Sequence, residues 1–252
     1  MRNPKPKTRK QRLDVLLVER GLAESRQKAQ ALILAGQVLA DGQKRDKAGT
    51  LVAADAPIEV VGGLRYASRG GMKLEGALDA FGVDPAGRTC LDIGSSTGGF
   101  TDCLLQRGAR RVYAVDVETN QLAWKLQQDP RVARIERNAR YLKPEDLGEQ
   151  AELVTLDVSF ISVTKVLPAV IACTAPGADL LILVKPQFEL ERKDVARGGI
   201  VRDPALHERA VAHVEAAARA AGLAILGTRP SCVPGAEGNL EFFLHARREP
   251  VE

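Results

Sequence analysis

Apolar positions between residues 12 and 61 first recur at helical spacing and then alternate. Leu13, Leu16 and Leu17 mark one helix face before Gly21 halts it. Ser25 is placed to cap a second helix with Ala29, Leu32 and Ile33 on its apolar side. After Gly36 the segments QVLADG and APIEVV read as short strands, with Asp41-Gly42 making a turn and Lys44, Arg45 and Lys47 crowding the loop beyond it. From residue 71 onward, strand and helix patterns alternate. TCLDIG, RVYAVDV, VARIERN, ELVTLDV, DLLILVKP, LAILGTR and LEFFLHAR predict seven strands, and 71–82, 98–107, 120–128, 162–174 and 203–221 predict helices. Such alternation predicts a doubly wound, mostly parallel α/β sheet preceded by a small α+β domain. Gly62-Gly63 marks the boundary, so the expected order is a small domain over 1–61, a linker over 62–70 and a large domain over 71–252.

Composition agrees with this division. The 252 residues are 45% hydrophobic and 4% aromatic, enough for a substantial core. No apolar run reaches the roughly 18 residues of a membrane span, and MRNPKPKTRKQR is basic where a secretory signal is apolar, so no membrane association and a cytoplasmic location are expected. Cys90, Cys103, Cys173 and Cys232 lack any C-x-x-C spacing; reduced core cysteines and no metal site are expected. The net charge of +4 is uneven, since residues 1–61 carry 12 Lys/Arg against 7 Asp/Glu and the rest 24 against 25. Arg2, Lys5, Lys7, Arg9, Lys10 and Arg12 have no acid among them, the composition of an arm that neutralises phosphates or of a solvated tail.

The stretch LDIGSSTGGFTDCLL reads as strand, glycine-rich turn and helix. A dinucleotide turn is G-x-G-x-x-G, its second glycine admitting the pyrophosphate; here Ser96 stands in that place, and Gly94, Gly98 and Gly99 form G-x-x-x-G-G. A sulfonium ligand has no pyrophosphate to cradle, and an acid such as Asp92 or Asp157 suits its cationic end. Asp116, closing VYAVD, is placed to accept both ribose hydroxyls in either reading. S-adenosylmethionine is the expected cofactor, held by Asp92, Gly94, Ser95, Thr97, Gly98, Gly99, Phe100, Asp116, Val117 and Asp157, with a nicotinamide dinucleotide as the competing ligand.

Two resemblances sharpen this reading. R-L-D-x-x-L, S-R-x-x-A-x-x-L-I and G-x-V followed by a D-G turn, over residues 12 to about 60, resemble the S4-type RNA-binding domain. That resemblance implies an RNA-facing surface at Arg12, Arg26, Lys28, Lys44 and Arg45. The triplet Arg12-Leu13-Asp14 also suggests pseudouridine synthases, but Asp14 opens an amphipathic helix and is expected to act as a helix N-terminal acid. Farther on, S-R-G-G-x-K-L, L-D-I-G-S-S-T-G-G-F-T, V-x-A-V-D, L-D-V-S-F-I-S, L-V-K-P-Q-F-E and G-N-x-E together resemble the TlyA (haemolysin A) family of ribosomal RNA 2'-O-methyltransferases, whose catalytic domain is similar to the FtsJ type. The resemblance implies a Rossmann-like methyltransferase domain, ribosomal RNA or ribosomal subunits as partner, cytidine as target, and a catalytic set at Lys73, Asp157, Lys185 and Glu241. Thr97 replaces the proline of many FtsJ-like turns.

The chemistry accounts for such a set. A protonated 2'-hydroxyl is a poor nucleophile, and a base or a hydrogen-bonding cation lowers the cost of deprotonating it. Lys185 is expected as base or oxyanion stabiliser, Lys73 as positioning cation, and the two acids as orienters. Arg65 and Arg69 in the linker are expected to meet phosphates or the cofactor carboxylate. The competing functions are a haemolysin or pore-forming protein, for which a spanning segment is missing, and a non-catalytic RNA-binding assembly factor.

Overall fold

The computed structural model describes residues 10–250 except Glu24, Gly62–Leu64, Arg197 and Ala236–Glu237. The arm residues Arg2, Lys5, Lys7 and Arg9 and the Gly62-Gly63 boundary lie outside the described residues. The chain divides into two compact units, Met1–Leu64 with Ala123–Lys125, and Arg65–Leu122 with Leu126–Glu252.

In the first unit β1 (Lys10–Arg12) leads directly into α1 (Leu13–Glu19), followed by α2 (Arg26–Leu34), β2 (Val38–Ala40), β3 (Gln43–Arg45), β4 (Leu51–Ala53) and β5 (Ile58–Val60). Ser25 Oγ accepts from the Lys28 N–H at 3.2 Å, the cap expected for α2. Asp41 and Gly42 both have positive φ, 55° and 70°, which matches the twist of a two-residue hairpin joining β2 to β3. Lys44 and Arg45 therefore stand on a strand, where the sequence suggested a loop. Strand order is β3-β2-β5 in one antiparallel sheet, with β1 and β4 paired separately. Leu13, Leu16, Leu17, Ala29, Ile33, Val38, Ala40 and Val52 close the core.

From Arg65 onward the chain forms α3 (Gly70–Phe81), β6 (Thr89–Ile93), α4 (Gly99–Gln106), β7 (Arg111–Asp116), α5 (Trp124–Gln127, its first two residues grouped with the first unit), β8 (Val132–Glu136), β9 (Ala151–Leu156), α6 (Leu167–Ala172), β10 (Thr174–Val184), α7 (Pro186–Glu189), α8 (Pro204–Ala220), β11 (Leu223–Pro230) and β12 (Phe242–Arg248). All seven expected strands are present. They run β8-β7-β6-β9-β10-β12-β11, with β12 antiparallel to both neighbours and the pairings from β8 to β10 parallel. The helix expected at 120–128 is broken, because Leu122 is extended and its carbonyl accepts from the Gln127 side chain at 2.6 Å. Residues 65–70, expected as linker, belong to the second unit. Tyr66 is buried, the Ala67 N–H donates to Asp102 at 2.7 Å, and Gly70 already starts α3.

Strand geometry places the ligand region. Leu91 and Ile93 of β6 join the core that includes α6 and α8, so by alternation Asp92 faces α4 on the other side. Chain order reverses between β6 and β9, and a crevice opens beyond the carboxyl ends of the strands at such a point. Gly94 follows β6 and Asp157 follows β9, with the Asp157 N–H donating to the Ile93 carbonyl at 2.9 Å.

Candidate active site

Two cavities meet at this crevice. The first, of about 460 Å³, is lined among others by Arg69, Lys73, Asp157, Lys185, Gln187 and Glu241. The second, of about 550 Å³, is lined by Asp116, Val117, Arg137, Asn138 and Ala139 among others. Gly94, Ser96, Asp157, Ser159 and Phe160 belong to both.

The four residues singled out by motif come together around the first cavity as two ion pairs. Lys185 ends the apolar run of β10 and sits at the N-cap of α7; its Nζ lies 2.5 Å from Asp157 Oδ1 and donates to Ser159 Oγ at 2.8 Å. Lys73, one turn into α3, donates to Glu241 Oε2 at 2.6 Å. Both lysine side chains are only 11% exposed. Burial of an ammonium is tolerated because each has its own carboxylate.

The glycine turn is tied from both sides. Asp116 Oδ2 accepts from the Ser96 N–H at 2.9 Å and Oδ1 from the Glu118 N–H at 3.3 Å, leaving lone pairs on each oxygen. Ser95, Thr97, Gly99 and Phe100 line the first cavity, and Phe100 stacks on Phe243 of β12 at 6.0 Å. Ser95 Oγ is buried without a partner among the described residues.

Three expected contacts are differently placed. Asp92 lines neither cavity; it is fully buried beneath the turn, accepting from Thr101 Oγ1 at 2.6 Å and Thr155 Oγ1 at 3.0 Å. Burial pushes its carboxyl up to about 7 against the opposing pull of those hydroxyls. Gly98 faces Leu122 and Leu126, where a side chain has no room. Arg65 pairs with Glu75 at 2.5 Å and lies over the Tyr66 ring, leaving Arg69 as the member of that pair at the cavity.

On the small unit, Lys28 and Lys44 are exposed and Arg45 is half-buried. Arg12 and Arg26 have a second task. Asp14 is wholly buried in the first turn of α1 and accepts from Arg12 Nε at 2.9 Å, Arg26 Nε at 2.9 Å and Gln30 Nε2 at 3.0 Å. Above all the Arg12 guanidinium holds its carboxyl well below the usual range, against the effect of burial. A helix N-terminal acid thus anchors two arginines whose side chains remain about half exposed, 45% and 57%. Cys90, Cys103 and Cys173 are buried, whereas Cys232, expected in the core, is exposed beside the Met72 carbonyl.

Pattern reading overlooked Ser159, Gln187 and Glu189, although all three stand inside quoted motifs. Glu189 accepts from Ser162 Oγ at 2.5 Å and the Val163 N–H at 2.8 Å, joining the segment after β10 to the segment after β9. Burial pushes its carboxyl up, against both hydrogen bonds. Phe160, at the rim, has positive φ and is 93% exposed.

The strand order, the glycine turn and the acid closing the second parallel strand define a methyltransferase of the S-adenosylmethionine-dependent class. The chain belongs to the FtsJ-like methyltransferase family, which matches residues 66–248, and an S4 domain matches residues 11–58. Its relatives place it within the TlyA/hemolysin A branch. It is 49% identical over 244 residues to the 16S/23S rRNA (cytidine-2'-O)-methyltransferase TlyA of Mycobacterium tuberculosis, covering 96% of this chain and 91% of that one. It is 42% identical to Hemolysin A of Brachyspira hyodysenteriae, covering 93% and 98%. A solved chain from Streptococcus thermophilus superposes with a TM-score of 0.73 at 42% identity, covering 96% of this chain and 90% of that chain. An S-adenosylmethionine dependent methyltransferase from Mesorhizobium loti shares the fold at TM-score 0.54 and 16% identity, covering 70% and 98%.

Proposed function

We propose that the protein transfers a methyl group from S-adenosylmethionine to a ribose 2'-oxygen of ribosomal RNA, with cytidine as the target nucleoside. The observation that carries this is the meeting of two cavities at Gly94 and Asp157, one bearing a ribose-binding acid and the other two lysine–carboxylate pairs.

The residues present fit the cofactor. Asp116 keeps free lone pairs for a ribose diol, Ser95 Oγ awaits a partner, and the cavity sizes fall within the roughly 300–1,000 Å³ of small-molecule sites. Gly94, Asp116, Val117 and Asn138 would hold the nucleoside end; Ser95, Thr97 and Arg69 would face the amino-acid end. When bound, S-adenosylmethionine supplies an electrophilic methyl on a cationic sulfonium.

The work of this chain is alignment and proton handling. The Asp157 ion pair and the Ser159 hydrogen bond hold Lys185 Nζ at the wall of the first cavity. Lys185 would act on the 2'-hydroxyl as base or oxyanion stabiliser, with Asp157 orienting it, and the methyl group would come from the bound S-adenosylmethionine. Lys73, held by Glu241, donates to the same ribose and fixes its approach. RNA is gripped by the S4 unit through Arg12, Arg26, Lys28, Lys44 and Arg45, reading phosphate and shape.

No helix among the described residues is long and apolar enough to cross a membrane. The test is incubation with methyl-labelled S-adenosylmethionine and separate small subunits, large subunits and naked rRNA, followed by mapping of modified riboses. Label at a cytidine 2'-oxygen is expected; no label on any of the three substrates sinks the proposal.

A further inference from the structure

Two residues beyond Lys185 stands the Gln187 amide, whose Oε1 is buried and lacks a hydrogen-bond partner among the described residues. Such an acceptor costs free energy until a donor reaches it. Gln187 lines the cavity that holds the lysine–carboxylate pairs and also an adjoining open groove of about 500 Å³, where Lys165, Phe188 and His213 stand. Phe160 and Phe188, which border both spaces, have ring centroids 5.3 Å apart.

The location restricts what can satisfy this atom. With a 2'-hydroxyl at Lys185 Nζ, the base of the same nucleotide lies one sugar away, where two aromatic rings and one amide stand among Lys165, Glu189, Glu191 and His213. Splayed bases are read by such a combination, an aromatic face plus a hydrogen bond to the Watson–Crick edge. A carbonyl acceptor calls for an N–H or O–H donor. At the fourth position of the pyrimidine ring cytosine offers its exocyclic N4–H, whereas uracil presents a carbonyl oxygen that would face Oε1 acceptor to acceptor. Ser95 Oγ, also without a partner, lies in the glycine turn and belongs to the cofactor side.

We propose that Gln187 selects the target base, its Oε1 accepting from the exocyclic amine of an amino-bearing pyrimidine, so that cytidine is methylated in preference to uridine. The inference rests on the 2'-O-methyltransferase reading above and adds the residue that discriminates.

The test uses the full chain and ribosomal subunits carrying either cytidine or uridine at the mapped position. Wild-type protein is expected to methylate cytidine at least about tenfold faster than uridine, the scale of one hydrogen bond made or left unpaired. Gln187→Leu is expected to lose about tenfold on cytidine and to bring the two rates close together. Gln187→Glu keeps an acceptor and is expected to keep the preference. Calorimetry with S-adenosylmethionine should give unchanged affinity for both variants, which establishes that each is folded. A preference retained in Gln187→Leu, or equal wild-type rates on the two subunits, overturns the inference alone. Absence of any ribose methylation by the wild type overturns the proposed function and this inference with it.

Discussion

Gly94 and Asp157 approach so closely that a methyl group on Gly94 would lie 2.3 Å from the Asp157 carbonyl oxygen. Gly94 also has a φ of +83°, a conformation that L side chains rarely adopt. The ends of the first and fourth parallel strands are thereby brought together, and with them the two cavities. Gly94→Ala is expected to weaken S-adenosylmethionine binding more than about tenfold and to lower stability by about 1–3 kcal/mol from backbone strain alone. Calorimetry and thermal unfolding read the two effects, and unchanged affinity would count against the cavity junction as the cofactor site.

Lys185→Ala should reduce methyl transfer by roughly 10²–10⁴-fold, the range for a positioned acid–base group. Binding of S-adenosylmethionine should persist, because the proposed cofactor contacts lie at the turn and Asp116. Wild-type turnover by a folded Lys185→Ala protein would show that the proton goes elsewhere.

Glu189→Ala should lower kcat by about tenfold while leaving cofactor affinity near wild type, through release of the Ser162–Val163 segment. Glu189→Gln preserves one acceptor and should recover part of the rate. A rise in KM for RNA with unchanged kcat would instead assign Glu189 to substrate binding.

The Asp92 carboxyl is raised in the folded protein to about 7 and is near about 4 when unfolded. The folded state therefore holds more protons between these values, and this group's contribution to stability declines as pH rises through them. Asp92→Asn, which never ionises, should match wild type below about pH 4 and melt a few °C higher near pH 8. Parallel melting curves at both pH values would reject this account of the buried carboxyl.

Asp14 titrates with the opposite sign. Its folded carboxyl is depressed, so its stabilising effect is present above the ordinary carboxylate range and disappears as pH falls through and below it. Urea titrations of wild type should show the S4 unit losing stability from about pH 5 downward. Asp14→Asn should be less stable at neutral pH by about 1–3 kcal/mol and should lack that acid dependence.

Much of this was legible from pattern. Strands such as LLILV and VYAV are apolar over their length, and burial on both faces of a parallel sheet demands that. The strands that escaped notice, KQR, QKR and LVA, are three residues long and two are wholly polar. The four residues that gather at the first cavity were visible through their motifs, since chain order alone says nothing of Lys73 meeting Glu241. Asp92 was assigned to the wrong side of the turn because its charge was weighed and its strand parity was not. Gln187 and Glu189 carry no periodic signal of their own; one further helical turn after β10 puts Gln187 at the first cavity and Glu189 on the Ser162–Val163 segment.

The pairing of Lys73 with Glu241 spans 168 positions of sequence, and Glu241 immediately precedes β12, the strand inserted between β10 and β11. During translation the S4 segment is complete long before that strand exists. A nascent chain thus carries Lys73 without its carboxylate partner, and the pair at the first cavity forms only with the last strand of the sheet to be synthesised.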